Sequence, residues 1–267
     1  DAFRRVEGAW ENTVRGARIL HTKGLPFILQ TTVTKANAAE LSNIARFAFA
    51  ELGAKVWNLY FLVQSGRGQF VSDLSSEAYE GVLSELHEIQ NEYRGRMIVY
   101  AKCAPHYVTT LLDKGVSSEF IRTYSGDAGG CPAGTHYLGI RPNGDVTPCP
   151  YLPLFGGNLK EQGLKQIWDE SELFQQVRVR TELGGRCGSC ECSSLCGGCR
   201  ARAFSVHGDV MAEDPLCSFE IGKHANAVVQ LGLSSRVEYG KSANQSLSWD
   251  PDARALMERI PAFVRGM

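Results

Sequence analysis

Residues 187–203 read Cys-Gly-Ser-Cys-Glu-Cys-Ser-Ser-Leu-Cys-Gly-Gly-Cys-Arg-Ala-Arg-Ala, and five thiols within thirteen positions set the terms for everything around them. Working outward, Cys131 and Cys149 lie upstream, with Gly144 between them, and Cys217 closes the series downstream. Eight of the nine cysteines thus fall between Cys131 and Cys217. The two side chains of a C-x2-C turn, here Cys187/Cys190 and Cys196/Cys199, bind neighbouring irons of one cluster or a single tetrahedral zinc. Seven or eight such ligands imply two centres.

The rest of the chain supports metal over disulfides. The 267 residues are 43% hydrophobic and 21% charged with a net charge of −1, as in a globular chain able to bury a sizeable core. No basic run offers the electrostatic footprint of a nucleic-acid binder. No stretch approaches the roughly 20 apolar residues of a membrane span, and the opening residues hold no signal-peptide core. The expectation is a cytoplasmic protein, and in that reducing compartment clustered thiols bind metal or do redox chemistry.

Upstream of the cysteines, helix and strand patterns alternate. Trp10, Val14, Ala17, Ile19 and Leu20 mark a helical face that ends at Gly24-Leu25-Pro26. Residues 27–34 read as a strand buried on both faces. A helix over residues 38–52, a buried strand over 56–63, a helix over 74–93 with Tyr79, Val82, Leu83, Leu86 and Ile89 on one face, and a strand over 97–100 complete about three parallel β/α units. That is too few to close a barrel.

Past Lys102 the composition turns to glycine, proline and cysteine. Asn143-Gly144 predicts a tight hairpin turn at positive φ whose far end delivers Cys149. Short helices are expected near residues 164–168 and 172–179, an irregular metal-folded loop over 187–199, and a helix over 220–231. Residues 233–248 read as a polar linker. In the tail, Ala253, Leu256, Met257 and Ile260 form a helical stripe behind Pro251.

The cysteine series resembles the SPASM extension of radical SAM enzymes, C-x9-15-G-x4-C, a gap, C-x2-C-x5-C-x3-C, a gap, then C. It departs once, with two residues rather than three between Cys196 and Cys199. The strings CGGCRARA (196–203), AEDPLC (212–217), FLVQSGRG (61–68), AKCAPH (101–106) and the opening DAFRRVEGAW resemble the tetrapyrrole branch of that superfamily, the haem d1 and alternative haem pathway enzymes. Residues 249–265 are similar to a short C-terminal module of light-independent protochlorophyllide reductase.

The resemblance implies an α/β fold: residues 1–102 as the later half of a partial (β/α)6 barrel, then residues 103–232 as a small irregular α+β iron–sulfur domain. It implies one 4Fe-4S cluster on Cys187, Cys190, Cys196 and Cys217, and another on Cys131, Cys149, Cys199 and a fourth ligand the pattern does not fix: Cys103, a neighbouring polar group or none, with Cys103 otherwise an inert thiol at a strand end. The radical C-x3-C-x2-C motif is absent from these 267 residues and is expected upstream of Asp1. Thr32 and Val63, at the ends of the two clear strands, are the implied S-adenosylmethionine contacts. Cys192 is read as a spare thiol. His106 and His136 are read as histidines satisfied by local hydrogen bonds. Arg200 and Arg202 are open between offsetting the clusters, holding a substrate propionate, and an ordinary ion pair. The implied activity is modification of a tetrapyrrole side chain, with an electron donor or acceptor protein as partner. The alternatives are a maturase of ribosomal peptides and a non-catalytic module with one zinc on Cys187, Cys190, Cys196 and Cys199.

Overall fold

Three parallel strands, β1 (Ile28–Val33), β2 (Val56–Phe61) and β3 (Ile98–Lys102), lie in the order β1-β2-β3 and in register, so that Ile28, Val56 and Ile98 form one row and Thr32, Tyr60 and Lys102 another. The structure is a computed structural model and describes residues 1–66, 68, 74–116, 121 and 130–231, all within a single compact unit. Parallel neighbours need crossover connections. Helix α1 (Ala9–Thr22) precedes β1, α2 (Leu41–Arg46) with a π-helical turn (Phe47–Glu51) links β1 to β2, and α3 (Ser76–Glu92) links β2 to β3. The α3 start is marked by Ser75, whose hydroxyl accepts the Ala78 N–H at 3.2 Å.

Side chains alternate across the sheet. Trp57, Leu59, Phe61, Val33 and Val99 face the helices and pack against Leu41, Ala45 and Ala48 of α2 and Tyr79, Val82, Leu83, Leu86 and Ile89 of α3, all buried. The helical residues recur at the three-to-four spacing expected from the sequence. The opposite face corrects the expectation of strands buried on both sides: Ile28 is 55% exposed and Ile98 53%, and Gln30 and Tyr100 are exposed as well. The apolar run 27–34 concealed this, because residues of the open face are interleaved with residues of the packed one.

The second sheet is antiparallel, of β4 (Gly139–Ile140), β5 (Asp145–Thr147) and β6 (Gly157–Asn158). The hairpin between β4 and β5 is present, but only Gly144 has positive φ (+96°), and Gly144 N–H returns to Arg141 O at 2.9 Å. This is a turn with a glycine bulge rather than a two-residue loop. Asn143 instead donates to Asp145. Helices α4 (Tyr107–Asp113), α5 (Leu164–Glu170) and α6 (Glu172–Arg178) flank this region. The segment expected to be wholly irregular carries a short helix, α7 (Gly185–Ser189), at its start, and α8 (Arg200–His207) begins directly after its last cysteine. The final helix, α9 (Ala225–Leu231), is shorter than the predicted 220–231. The expected linker and tail helix lie outside the described residues. Among the described residues no helix is long and apolar enough to cross a membrane.

Candidate metal centre

Two stretches of chain, 186–198 and 217–219, carry Cys187, Cys190, Cys196 and Cys217 to the wall of one cavity, together with Cys192 and, from a third, His106. Three backbone N–H groups point at these sulfurs: Cys192 to Cys190 Sγ at 3.3 Å, Gly198 to Cys196 Sγ at 3.4 Å and Asp214 to Cys187 Sγ at 3.4 Å. Such bonds stabilise sulfur in its anionic form and tune a cluster's potential. Cys192 is fully buried, its thiol pushed up by the Cys190 hydrogen bond and by burial, as befits an inert spare thiol.

A second group gathers Cys103, Cys131, Cys149 and Cys199. Cys103 and Cys149 interact electrostatically, Cys131 with both, and Cys199 with Cys131 and Cys103. The Tyr137 hydroxyl stands 3.4 Å from Cys149 Sγ. Cys103 follows β3 directly and is one of two non-glycine residues with positive φ among the described residues, at +59°. Such a conformation costs energy and clusters at functional sites. Burial pushes its thiol up to about 12, and that of Cys217 also to about 12. Metal binding here therefore has to displace protons from thiols that would otherwise hold them.

The two groups meet in the turn Cys196-Gly197-Gly198-Cys199. Gly197 (φ +63°) and Gly198 (φ +58°) are both left-handed, and a Cβ on Gly198 would lie 2.6 Å from Arg200 Nη2 and 3.1 Å from Cys187 Sγ. Only glycine combines that backbone with that approach. Cys131 N–H bonds Cys196 O at 3.1 Å, tying a cysteine of the second group to the turn.

Around the sulfurs lie three buried guanidinium groups, Arg180, Arg200 and Arg202, against one buried carboxylate, Asp214, among the described residues. Arg202 donates to both Asp214 oxygens (3.1 and 2.9 Å) and to Cys103 O (2.7 Å). Arg200 donates to Val210 O and Ala212 O and reaches Cys187 Sγ at 3.9 Å. Arg180 donates to Cys131 O at 2.9 Å. Both arginines that follow Cys199 are consumed inside the fold, so neither reaches a substrate propionate. Asp214 further accepts Cys199 N–H at 2.7 Å and Leu216 N–H at 3.1 Å. Burial pushes its carboxyl up, but Arg202, His106 and these N–H groups outweigh burial and hold it below the carboxylate range. Buried cations in excess of buried carboxylates call for further negative charge, which thiolates bound to an iron–sulfur cluster supply. The donor set fits that group. Among the described residues no three His, Cys, Asp or Glu side chains are drawn together tightly enough for one ion, as a zinc about 2.3 Å from each sulfur requires. Cys199, assigned to zinc in the single-metal alternative, sits with the other group.

His106 departs from expectation. It is 2% exposed, neither ring nitrogen has a hydrogen-bond partner, and it stacks on Tyr79 at 4.5 Å with Asp214 Oδ2 3.7 Å from Nδ1. Burial drives its pKa down to about 4. His136 is exposed, with Nδ1 3.3 Å from Thr135 Oγ1. Val63 packs in the apolar cluster of Cys131, Cys149 and Cys199, whereas Thr32 lies on the open face of the first sheet. Asp214 was visible in sequence only as part of AEDPLC, and Arg180 carried no signal at all.

Residues 131–200 match the family model of SPASM, an iron–sulfur cluster-binding domain. Over 228 residues the chain is 37% identical to the AdoMet-dependent haem synthase of Methanosarcina barkeri, covering 84% of this chain and 64% of that one. The chain carries a SPASM domain and is similar to the AdoMet-dependent haem synthases. The homologous haem synthase of Nitratidesulfovibrio vulgaris is 38% identical over 82% of this chain and 61% of its own length, so the chain spans about three fifths of these curated relatives. The PqqA peptide cyclase of Granulibacter bethesdensis is 25% identical over 86% of this chain. In fold, the chain is similar to Streptococcus suis SuiB bound to S-adenosylmethionine, with a TM-score of 0.58 at 15% identity over 78% of this chain and 49% of SuiB. The fold is that of a partial radical SAM barrel followed by the SPASM domain.

Proposed function

We propose that the complete gene product is a radical S-adenosylmethionine enzyme that removes a carboxyl-bearing group from a tetrapyrrole side chain, and that this chain supplies the later barrel strands and two auxiliary 4Fe-4S centres. The convergence of the thiols into two groups, joined by the Cys196–Cys199 turn and set among buried arginines, carries the reading. In it, Cys187, Cys190, Cys196 and Cys217 hold one cluster and Cys103, Cys131, Cys149 and Cys199 the other. Bound clusters supply one-electron acceptance and donation. The protein's own part is to bury them, to direct N–H groups at their sulfurs, and to hold substrate against the open sheet face. Thr32 and Val63 remain the proposed S-adenosylmethionine contacts. The division of labour is residues 1–102 for the barrel and 103–232 for the clusters, with an electron-transfer protein as partner.

Identity to haem synthases at 37% against 25% for a peptide cyclase favours a macrocycle over a peptide substrate. The test is anaerobic reconstitution of the complete gene product, then incubation with reductant, S-adenosylmethionine and a propionate-bearing iron porphyrin. Mass spectrometry should show each converted propionate losing carbon dioxide and two hydrogens as it becomes an alkene, one hydrogen going to the deoxyadenosyl radical and the other leaving as a proton with one electron passed to an acceptor. An untouched porphyrin beside a crosslinked peptide substrate would overturn the reading, and zinc in place of iron would remove its basis.

A further inference from the structure

The open face of the first sheet is graded along the strands. Its first row, Ile28, Val56 and Ile98, is apolar; its second is Gln30, Asn58 and Tyr100; its third, at the carboxyl ends, is Thr32, Tyr60 and Lys102. Ligands of parallel α/β folds bind at the carboxyl ends of the strands. Two observations mark this face as built for a ligand. Asn58 is 7% exposed, and its Oδ1 is buried without a hydrogen-bond partner. Lys102, half-buried at the last position of β3, rests its ammonium 4.9 Å from the centre of the Tyr100 ring, and among the described residues no carboxylate pairs with it. An ammonium held against an aromatic face, with no carboxylate paired to it among the described residues, is complementary to a carboxylate at the edge of a flat ligand.

We propose that Lys102 anchors a carboxylate of the organic substrate, with Tyr100 and Tyr60 beside it and Asn58 presenting an acceptor in the row beneath. The proposal rests on the tetrapyrrole reading above and adds to it the group that orients the macrocycle. Lys102 also directly precedes Cys103 in the chain, so the anchor and a proposed cluster ligand sit on one short stretch of backbone. Arg200 and Arg202, the cations the sequence offered for this role, are occupied elsewhere, which leaves Lys102 as the cation of this face among the described residues.

The test uses the complete gene product, reconstituted anaerobically, as wild type, Lys102→Gln and Lys102→Arg. Binding of a tetrapropionate iron porphyrin, of its tetramethyl ester and of S-adenosylmethionine is titrated separately by absorbance and tryptophan quenching. Lys102→Gln should weaken the tetrapropionate porphyrin roughly tenfold, between the effects of exposed and fully buried ion pairs, while Lys102→Arg stays within about threefold. Ester and S-adenosylmethionine affinities should match wild type in both variants. Unchanged binding of the tetrapropionate porphyrin by Lys102→Gln would overturn the anchor while leaving the tetrapyrrole reading intact. Weakened S-adenosylmethionine binding alone would assign Lys102 to that carboxylate and overturn the proposal. Loss of iron in Lys102→Gln would assign the lysine to support of the cluster, again overturning it. Failure of the wild type to bind either porphyrin would take down the tetrapyrrole reading and the anchor together.

Discussion

Replacing Asp214 with alanine tests whether the thiol groups are held by a buried charge network. The carboxylate accepts four contacts: two from Arg202, one from the N–H of Cys199 and one from the N–H of Leu216. Its removal leaves the Arg202 guanidinium, 2% exposed, with the Cys103 carbonyl as its remaining hydrogen-bond acceptor and the Tyr79 ring 5.5 Å away. Breaking a buried pair from one side costs about 3–5 kcal/mol, and each abandoned buried N–H costs about 1–3 kcal/mol, not additively. A loss of about 4 kcal/mol is the working figure. Urea midpoints of the anaerobically loaded protein, converted with a common slope, measure it. Asp214→Ala combined with Arg202→Met should recover part of the loss, because no charge is then left unpaired. A single variant within about 1 kcal/mol of wild type, or a double variant no better than the single, would refute the idea that this ion pair organises the region.

Gly198→Ala should cost about 2 kcal/mol or more and lower iron per chain, since a Cβ meets the Arg200 guanidinium and Cys187 Sγ at a left-handed residue; iron analysis after anaerobic reconstitution reads this. Cys217→Ser and Cys103→Ala should each abolish one cluster's electron paramagnetic resonance signal and spare the other, whereas loss of both signals from either variant would contradict two separate ligand sets. For pH, His106 has a folded pKa near 4 against an ordinary 6.5. The unfolded chain therefore binds a proton between these values that the folded chain does not, and stability present above about 6.5 is lost as pH falls toward 4. His106→Phe should flatten that slope by up to about 1.4 kcal/mol per pH unit, read from urea midpoints between pH 7 and 5.5.

Much of the barrel portion was legible because its signals are local. The strands and α3 follow from β-branched runs and from Tyr79, Val82, Leu83, Leu86 and Ile89 at helical spacing. The openness of one sheet face was not, because Ile28 and Ile98 are as apolar as their packed neighbours and only tertiary partners tell them apart. The first thiol group could be read from spacing, since C-x2-C turns hold their sulfurs together by chain geometry alone. Cys103 belongs to no spacing and joins the second group only because β3 ends beside it. Arg180 was invisible for the same reason: its hydrogen-bond partners, Gly197 O and Cys131 O, lie 17 and 49 residues away and follow no local pattern. The expectation of a locally satisfied histidine failed at His106 because the surrounding core offers stacking and a distant carboxylate rather than a donor or acceptor within reach.

The adjacency of Lys102 and Cys103 has a consequence for motion. Consecutive Cα atoms are fixed about 3.8 Å apart by covalent geometry, so a breathing motion of β3 carries the docking rim and the sulfur along as a unit. On the proposed ligation, one continuous stretch of backbone would then carry both the group that orients the substrate and a ligand of the cluster, so a shift of this strand would move the two together.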